Sequence, residues 1–217
     1  MGAWIRILTL AALGAGCGSA PAEVVLVREP ATGRLLVAAR GLGDPNFSQS
    51  VILLVHYDEE GAMGVVLNRP SDAPLRRMFP RAETLKTRSD PLYEGGPVMP
   101  TGAVAILRAR SEPKGAKLVR DDLYLVGDVR ILEEAVNSGK GPMELRVFMG
   151  YAGWGPAQLD SEIRMGAWHI FDTDLRTIFD PATNKLWERL IRKTEEHFAR
   201  NFRRRGSAEP AAFAARP

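Results

Sequence analysis

Apolar residues early in the chain come in short runs, and the first clear unit extends from Gly33 to Pro70. Arg34 to Ala39 is one such run, Val51 to Val55 is an unbroken β-branched and leucine run, and Ala62 to Leu67 is a third. Gly41-Leu42-Gly43-Asp44-Pro45-Asn46 separates the first two, Glu59-Glu60-Gly61 separates the next two, and Asn68-Arg69-Pro70 closes the unit. The pattern predicts strand, turn, strand, turn, strand. Runs that are apolar on both alternating faces belong to strands covered on both sides, which places these centrally in a sheet.

The pattern then changes period several times. Ser71 or Asp72 is placed to cap a short helix to Pro80, with Leu75, Met78 and Phe79 on one face. Arg81 to Asp90 is polar and predicts a mobile loop. Gly95-Gly96-Pro97 predicts a bend between two strands; without a following Lys-Ser or Lys-Thr it makes a poor phosphate loop. Ala103 to Leu107 and Leu123 to Val126 predict strands. Asp128 caps a helix through Ser138, stopped by Gly139, with Ile131, Leu132, Ala135 and Val136 at helical spacing. Met143 to Phe148 alternates as a half-buried strand does, and Gly166 to Phe171 predicts the last strand. After Asp180-Pro181, the residues Leu186, Trp187, Leu190, Ile191, Phe198 and Phe202 fall on one helical stripe.

Composition narrows the classes. An apolar fraction of 45% in 217 residues is ample for a core. The single cysteine, Cys17, excludes an intrachain disulfide and a cysteine-rich metal site. Net charge is +3, and Arg200, Arg203, Arg204 and Arg205 carry much of the excess, so the folded middle is near neutral. Residues 1–22 read as a signal-like segment: Arg6 precedes the apolar stretch Ile7 to Ala15, and Gly14-Ala15-Gly16-Cys17 resembles a lipobox, with Cys17 as the lipidation site and membrane anchor. The match departs at Leu13, four rather than three residues before the cysteine. Cleavage after Ala22 is the competing reading. On this basis residues 23–199 form one domain and residues 200–217 a basic, then disordered, tail, and the protein is expected to be exported, either anchored or periplasmic.

Candidate chemistry is sparse. There is no GxSxG and no HExxH, and His56, His169 and His197 lie far apart in the sequence, so no catalytic residue, metal or cofactor is implied. Asp44, Asn68, Tyr151, Gln158 and Glu162 are polar residues within or beside turn-rich motifs, and they are the candidate ligand-binding set of an alternative reading as a small-ligand-binding protein or enzyme with its site at the glycine-rich turns. A lipid-anchored envelope scaffold is the other alternative, resting on Cys17. For Asp44 and Asn46 turn chemistry is a sufficient explanation. No helix before the tail carries a base-reading set with a basic flank, so direct binding of nucleic acid is not expected.

The most distinctive run is Phe148-Met149-Gly150-Tyr151-Ala152-Gly153-Trp154-Gly155-Pro156-Ala157-Gln158-Leu159, which reads as a strand end, a glycine-rich turn and a helix start. With GDPNFSQSVILLVHY, GVVLNRP and EGGPV in the same order, it resembles the bacterial AlgH or YqgE-like (UPF0301) family, a family of uncharacterised function, over roughly Gly33 to Ile191. The resemblance implies a single α+β domain in which a bifurcated, largely antiparallel sheet curls into a pseudo-barrel with helices outside. It implies a non-enzymatic interaction or regulatory role, transcriptional regulation included, with an unknown protein partner. It also implies a cytoplasmic location, against the export-like N-terminus. The family pattern favours glycine where Ala157 stands, which singles out the backbone at that helix start.

Overall fold

The computed structural model describes residues 25–206, so Cys17 and the rest of the signal-like segment lie outside the described residues. The strands are β1 (Val25–Val27), β2 (Leu35–Ala38), β3 (Val51–Asp58), β4 (Gly61–Val66), β5 (Pro70–Pro74), β6 (Pro91–Glu94), β7 (Val98–Arg108), β8 (Lys117–Arg120), β9 (Leu123–Val126), β10 (Leu145–Trp154) and β11 (Trp168–Asp172). The helices are α1 (Val129–Asn137), α2 (Gln158–Arg164), α3 (Leu175–Ile178) and α4 (Leu186–Gly206).

The strands form one mostly antiparallel sheet in the order β1-β11-β2-β3-β4-β10-β7-β9-β8, and β6 branches from it, parallel to β10 and antiparallel to β5. This is the expected α+β architecture, bifurcated at β6. Its ladder does not close. Instead the two ends are tied by side chains: Arg120 of β8 donates to Asp172 Oδ1 on β11 (2.9 Å) and to the carbonyl of Gly33 (3.2 Å).

The first unit folds as its pattern predicts. Leu35 to Ala38 and Val51 to Val55 are fully buried, as strands covered on both faces must be. Three expectations are corrected. Ser71 and Asp72 do not cap a helix: Pro70–Pro74 pairs with β6 as an edge strand, where prolines are tolerated, and only the single 3₁₀ turn Leu75–Arg77 follows. The segment from Arg81 to Asp90 is pinned rather than loose, since Ala82 and Leu85 are buried and Thr84 donates to the Val136 carbonyl of α1 at 2.7 Å. Finally, the strand begun near Met143 does not end at Phe148. β10 runs to Trp154 and is buried along most of its length, because β7, β6 and β4 all pair with it.

Gly150 explains the last correction. It sits at φ +69° as a bulge in β10, between Phe148 and Met149, which pair with β6, and Ala152 to Trp154, which pair with β4. The glycine-rich motif is therefore a change of partner within one strand, not a turn. Gly95 and Gly96 pack directly against this bulge, with the Gly95 N–H donating to the Met149 carbonyl (2.8 Å) and its carbonyl accepting from Val66 N (3.0 Å).

Helix α4 is set by what precedes it. Arg146, 3% exposed, donates to the carbonyls of Ile178 (3.1 Å) and Asp180 (2.6 Å), and its guanidinium lies over the rings of Tyr93 and Phe179 at 5.1 and 5.7 Å. Burial pushes its pKa down. Asp180 in turn accepts from Ala182 N, and one 3₁₀ turn leads into α4. Leu186, Trp187, Leu190, Ile191 and Thr194 of α4 are buried, and Trp187 Nε1 donates to the Ala38 carbonyl of β2 at 2.8 Å.

Candidate functional site

The residues singled out by sequence come together only in part. Asp44 accepts from Asn46 N (2.8 Å) in an exposed turn, the role that turn chemistry assigns to it. Asn68 spans the far side of the same loop, accepting from Val51 N (2.8 Å) and donating to the Gln49 carbonyl (2.9 Å). Arg69 adds bonds to the carbonyls of Asn46 (2.6 Å) and Ser48 (3.1 Å). The result is a fixed loop that presents Phe47. Tyr151 lies half-buried against the main core, its ring close to Gly153, and stands apart from the others.

Phe47 is the link to the remaining two candidates. Its ring stacks on Trp154 (6.1 Å between centroids, 21° between planes) and meets Trp168 edge-on (5.9 Å, 66°). Both indoles donate to one carboxylate oxygen, Glu162 Oε2, at 3.0 Å from Trp154 and 2.8 Å from Trp168. The other oxygen accepts from Gln158 Nε2 (3.0 Å), whose own carbonyl accepts from Gly155 N (3.1 Å). Tyr57 donates to Asp160 at 2.7 Å and fastens α2 to β3; that bond, with burial second, pushes the tyrosine pKa up to about 12. Glu162, held by Gln158, thus clamps two tryptophans from different strands, a pairing invisible in sequence because Trp154 and Trp168 lie on β10 and β11, on either side of α2 in the chain.

Ala157, just before α2, has φ +57° and ψ 0°, the left-handed region that glycine adopts freely. This is the physical reason a glycine is favoured there. Replacing Ala157 with glycine relieves a left-handed alanine and is expected to raise stability by about 0.5–1 kcal/mol despite the added chain entropy. Chemical denaturation checks it: the midpoint rises and the slope is unchanged.

Trp168 has a second role, since with Ile163 and Ile170 it forms one wall of a groove of about 980 Å³. Leu26 and Val27 of β1 and Phe198 and Phe202 of α4 complete it. The apolar stripe of α4 that buries Trp187, Ile191 and Thr194 continues to Phe198 and Phe202, which β11 and β1 beside them leave largely uncovered. Phe198 is 54% exposed and Phe202 82%. His169 contacts Phe198 ring to ring (6.1 Å), and burial lowers its pKa although Glu195 nearby opposes the shift. His197 also touches Phe198 and takes a bond with Asn201 at 2.8 Å. Sequence reading placed both phenylalanines on the helix stripe and missed the groove, because nothing local reports that β1 and β11 stand beside the end of α4.

A smaller depression of about 330 Å³ lies at the glycine-rich turns, lined by Asn46, Arg69, Glu94, Gly96, Pro97 and Met149 among others. Of the candidate ligand set, none lines it. Among the described residues no helix is long and apolar enough to cross a membrane.

Comparison with known proteins agrees with this architecture. The family model described as AlgH-like matches residues 35–199. A UPF0301 protein of Streptomyces avermitilis is 37% identical over 174 residues, covering 77% of this chain and 89% of that protein. A UPF0301 protein of Xanthomonas campestris is 35% identical over 163 residues, covering 73% and 86%. Among solved structures, a protein from Corynebacterium diphtheriae superposes with a TM-score of 0.64 at 28% identity, covering 76% of this chain and 87% of its own. The AlgH protein from Pseudomonas aeruginosa does so with a TM-score of 0.56 at 31% identity, covering 69% and 80%.

Proposed function

We propose, for a chain that belongs to the AlgH-like family, that the domain works as an interaction or regulatory module, binding at the groove between β1, β11 and the end of α4. The observation that carries this reading is the continuation of the α4 apolar stripe beyond its cover, which leaves two phenylalanines exposed over an apolar wall. Exposed aromatic side chains clustered beside a groove are what a binding surface needs. The competing small-ligand reading uses Asp44, Asn68, Tyr151, Gln158 and Glu162. It requires four of these five to give up internal hydrogen bonds to a ligand. The groove requires no such exchange.

A photo-reactive amino acid at position 202, introduced in cells of the native host, tests the reading against the same probe at Met99, another exposed apolar position that lies outside the groove. Adducts are expected from position 202 and not from position 99. Equal yields from both, or none from position 202, would sink the proposal.

A further inference from the structure

We infer that this groove and the end of α4 dock on an anionic phospholipid surface, an inference that rests on the groove being the binding surface. The first ground is the chemistry of the patch. Phe198 and Phe202 project one turn apart on a helix and are both exposed, so an apolar ridge stands beside the groove. Helices that lie in a membrane interface have this form, with aromatic residues on one face and arginine or lysine beside it.

The second ground is charge. Residues 197–205 contain four arginines and no carboxylate, and exposed Arg28 sits on the β1 lip of the groove. Long arginine side chains reach past an apolar face to phosphate while their stems stay in contact with it. Each basic group near an anionic surface contributes on the order of 1 kcal/mol, and salt screens this attraction.

The third ground is position. Cys17, where the lipobox resemblance places an acyl anchor, lies eight residues before Val25. Fully extended, that segment reaches at most roughly 26–29 Å. An anchor at Cys17 would therefore hold the β1 edge, and with it the groove, close to the bilayer. The chain enters the domain at β1, on the lip of the groove.

Cosedimentation of the full chain with vesicles tests the inference, using phosphatidylcholine alone and phosphatidylcholine with phosphatidylglycerol. Wild type is expected to prefer the anionic vesicles and to lose that preference as salt rises. The double variant Phe198→Ser, Phe202→Ser is expected to bind them at least about tenfold more weakly, from the loss of two rings that would enter the lipid interface. Cys17→Ser is expected to keep the preference, since the patch is intact. The apolar stretch Ile7 to Ala15 is common to all variants, so differences between them report the patch. Both phenylalanines are exposed, and an unchanged melting temperature verifies that the double variant is folded. Equal binding by wild type and the double variant, or no preference for anionic lipid, overturns the inference. If that happens while position 202 still forms adducts with a protein in cells, the lipid surface is excluded and the interaction reading stands. If both experiments are negative, both fall.

Discussion

Replacing Gly96 with alanine is expected to abolish stable folding. A methyl group at this position would overlap the backbone of Tyr151 and the amide of Ala152, and no side-chain movement can relieve a clash with main chain. The φ of +150° adds strain that any residue but glycine would bear. A whole domain is stable by only about 5–15 kcal/mol, and a backbone collision at the junction of β6, β10 and β4 is expected to remove more than about 4 kcal/mol of it. Gly43→Ala is the control, because nothing lies within 4 Å of its added methyl. It is expected to leave stability within about 0.5 kcal/mol. Soluble yield and thermal melting decide the matter. A Gly96→Ala protein that melts within a few degrees of wild type would mean that the junction is drawn wrongly.

The second large effect is expected at Glu162. Trp154 and Trp168 are 6% and 4% exposed, and each sends its only donor to the same carboxylate oxygen. Alanine at position 162 leaves both indole N–H groups without that acceptor, at about 1–3 kcal/mol each, and frees Gln158 as well. A loss of about 2–6 kcal/mol follows. Glu162→Gln keeps one acceptor oxygen and is expected to lose roughly half as much. Urea denaturation gives the energies, and tryptophan emission reports the site directly, since the two rings form most of the aromatic cluster with Phe47. Equal stability of the alanine and glutamine variants would contradict the role assigned to this carboxylate. Because Trp168 also lines the groove, Glu162→Ala is expected to loosen the binding surface together with the fold.

How much of this was legible in the chain depends on how local the cause is. The strands β2, β3 and β4 declare themselves, because burial on both faces selects unbroken apolar residues. Helix α1 does so too: Asp128 accepts from Arg130 N as a cap, and Gly139 ends it at φ +81°. Strand β10 is hidden for the opposite reason. Its glycines look like a turn, and only their packing against Gly95 and Gly96, far away in sequence, makes them part of a strand. Ser71 and Asp72 mimic a helix cap, yet pairing with β6 decides their conformation. In the candidate site, the local bonds of Asp44 were readable, whereas the double indole clamp on Glu162 joins β10 and β11 through α2 and leaves no mark in spacing. Arg146 is similar: in sequence it is one basic residue in an alternating strand, and in the fold it is buried between two rings and two carbonyls.

The same distinction bears on function. Polar residues in conspicuous motifs attract attention as ligands, but here most of their hydrogen-bonding capacity is used to hold the loop of Phe47 and the start of α2. The exposed aromatic residues at the far end of α4 are less conspicuous in sequence and have no such internal use. Function is expected to follow the surface left available by the fold rather than the residues that build it.

The most direct measurement is amide hydrogen exchange on the full chain, alone and with an extract of the native host that includes its membranes. Slower exchange in β1 and in residues 197–203, with no change around Gly95, Gly96 and Arg69, is the result this account predicts. Slowing confined to the glycine-rich turns, with β1 and the end of α4 unaffected, would contradict it and return the site to the motifs.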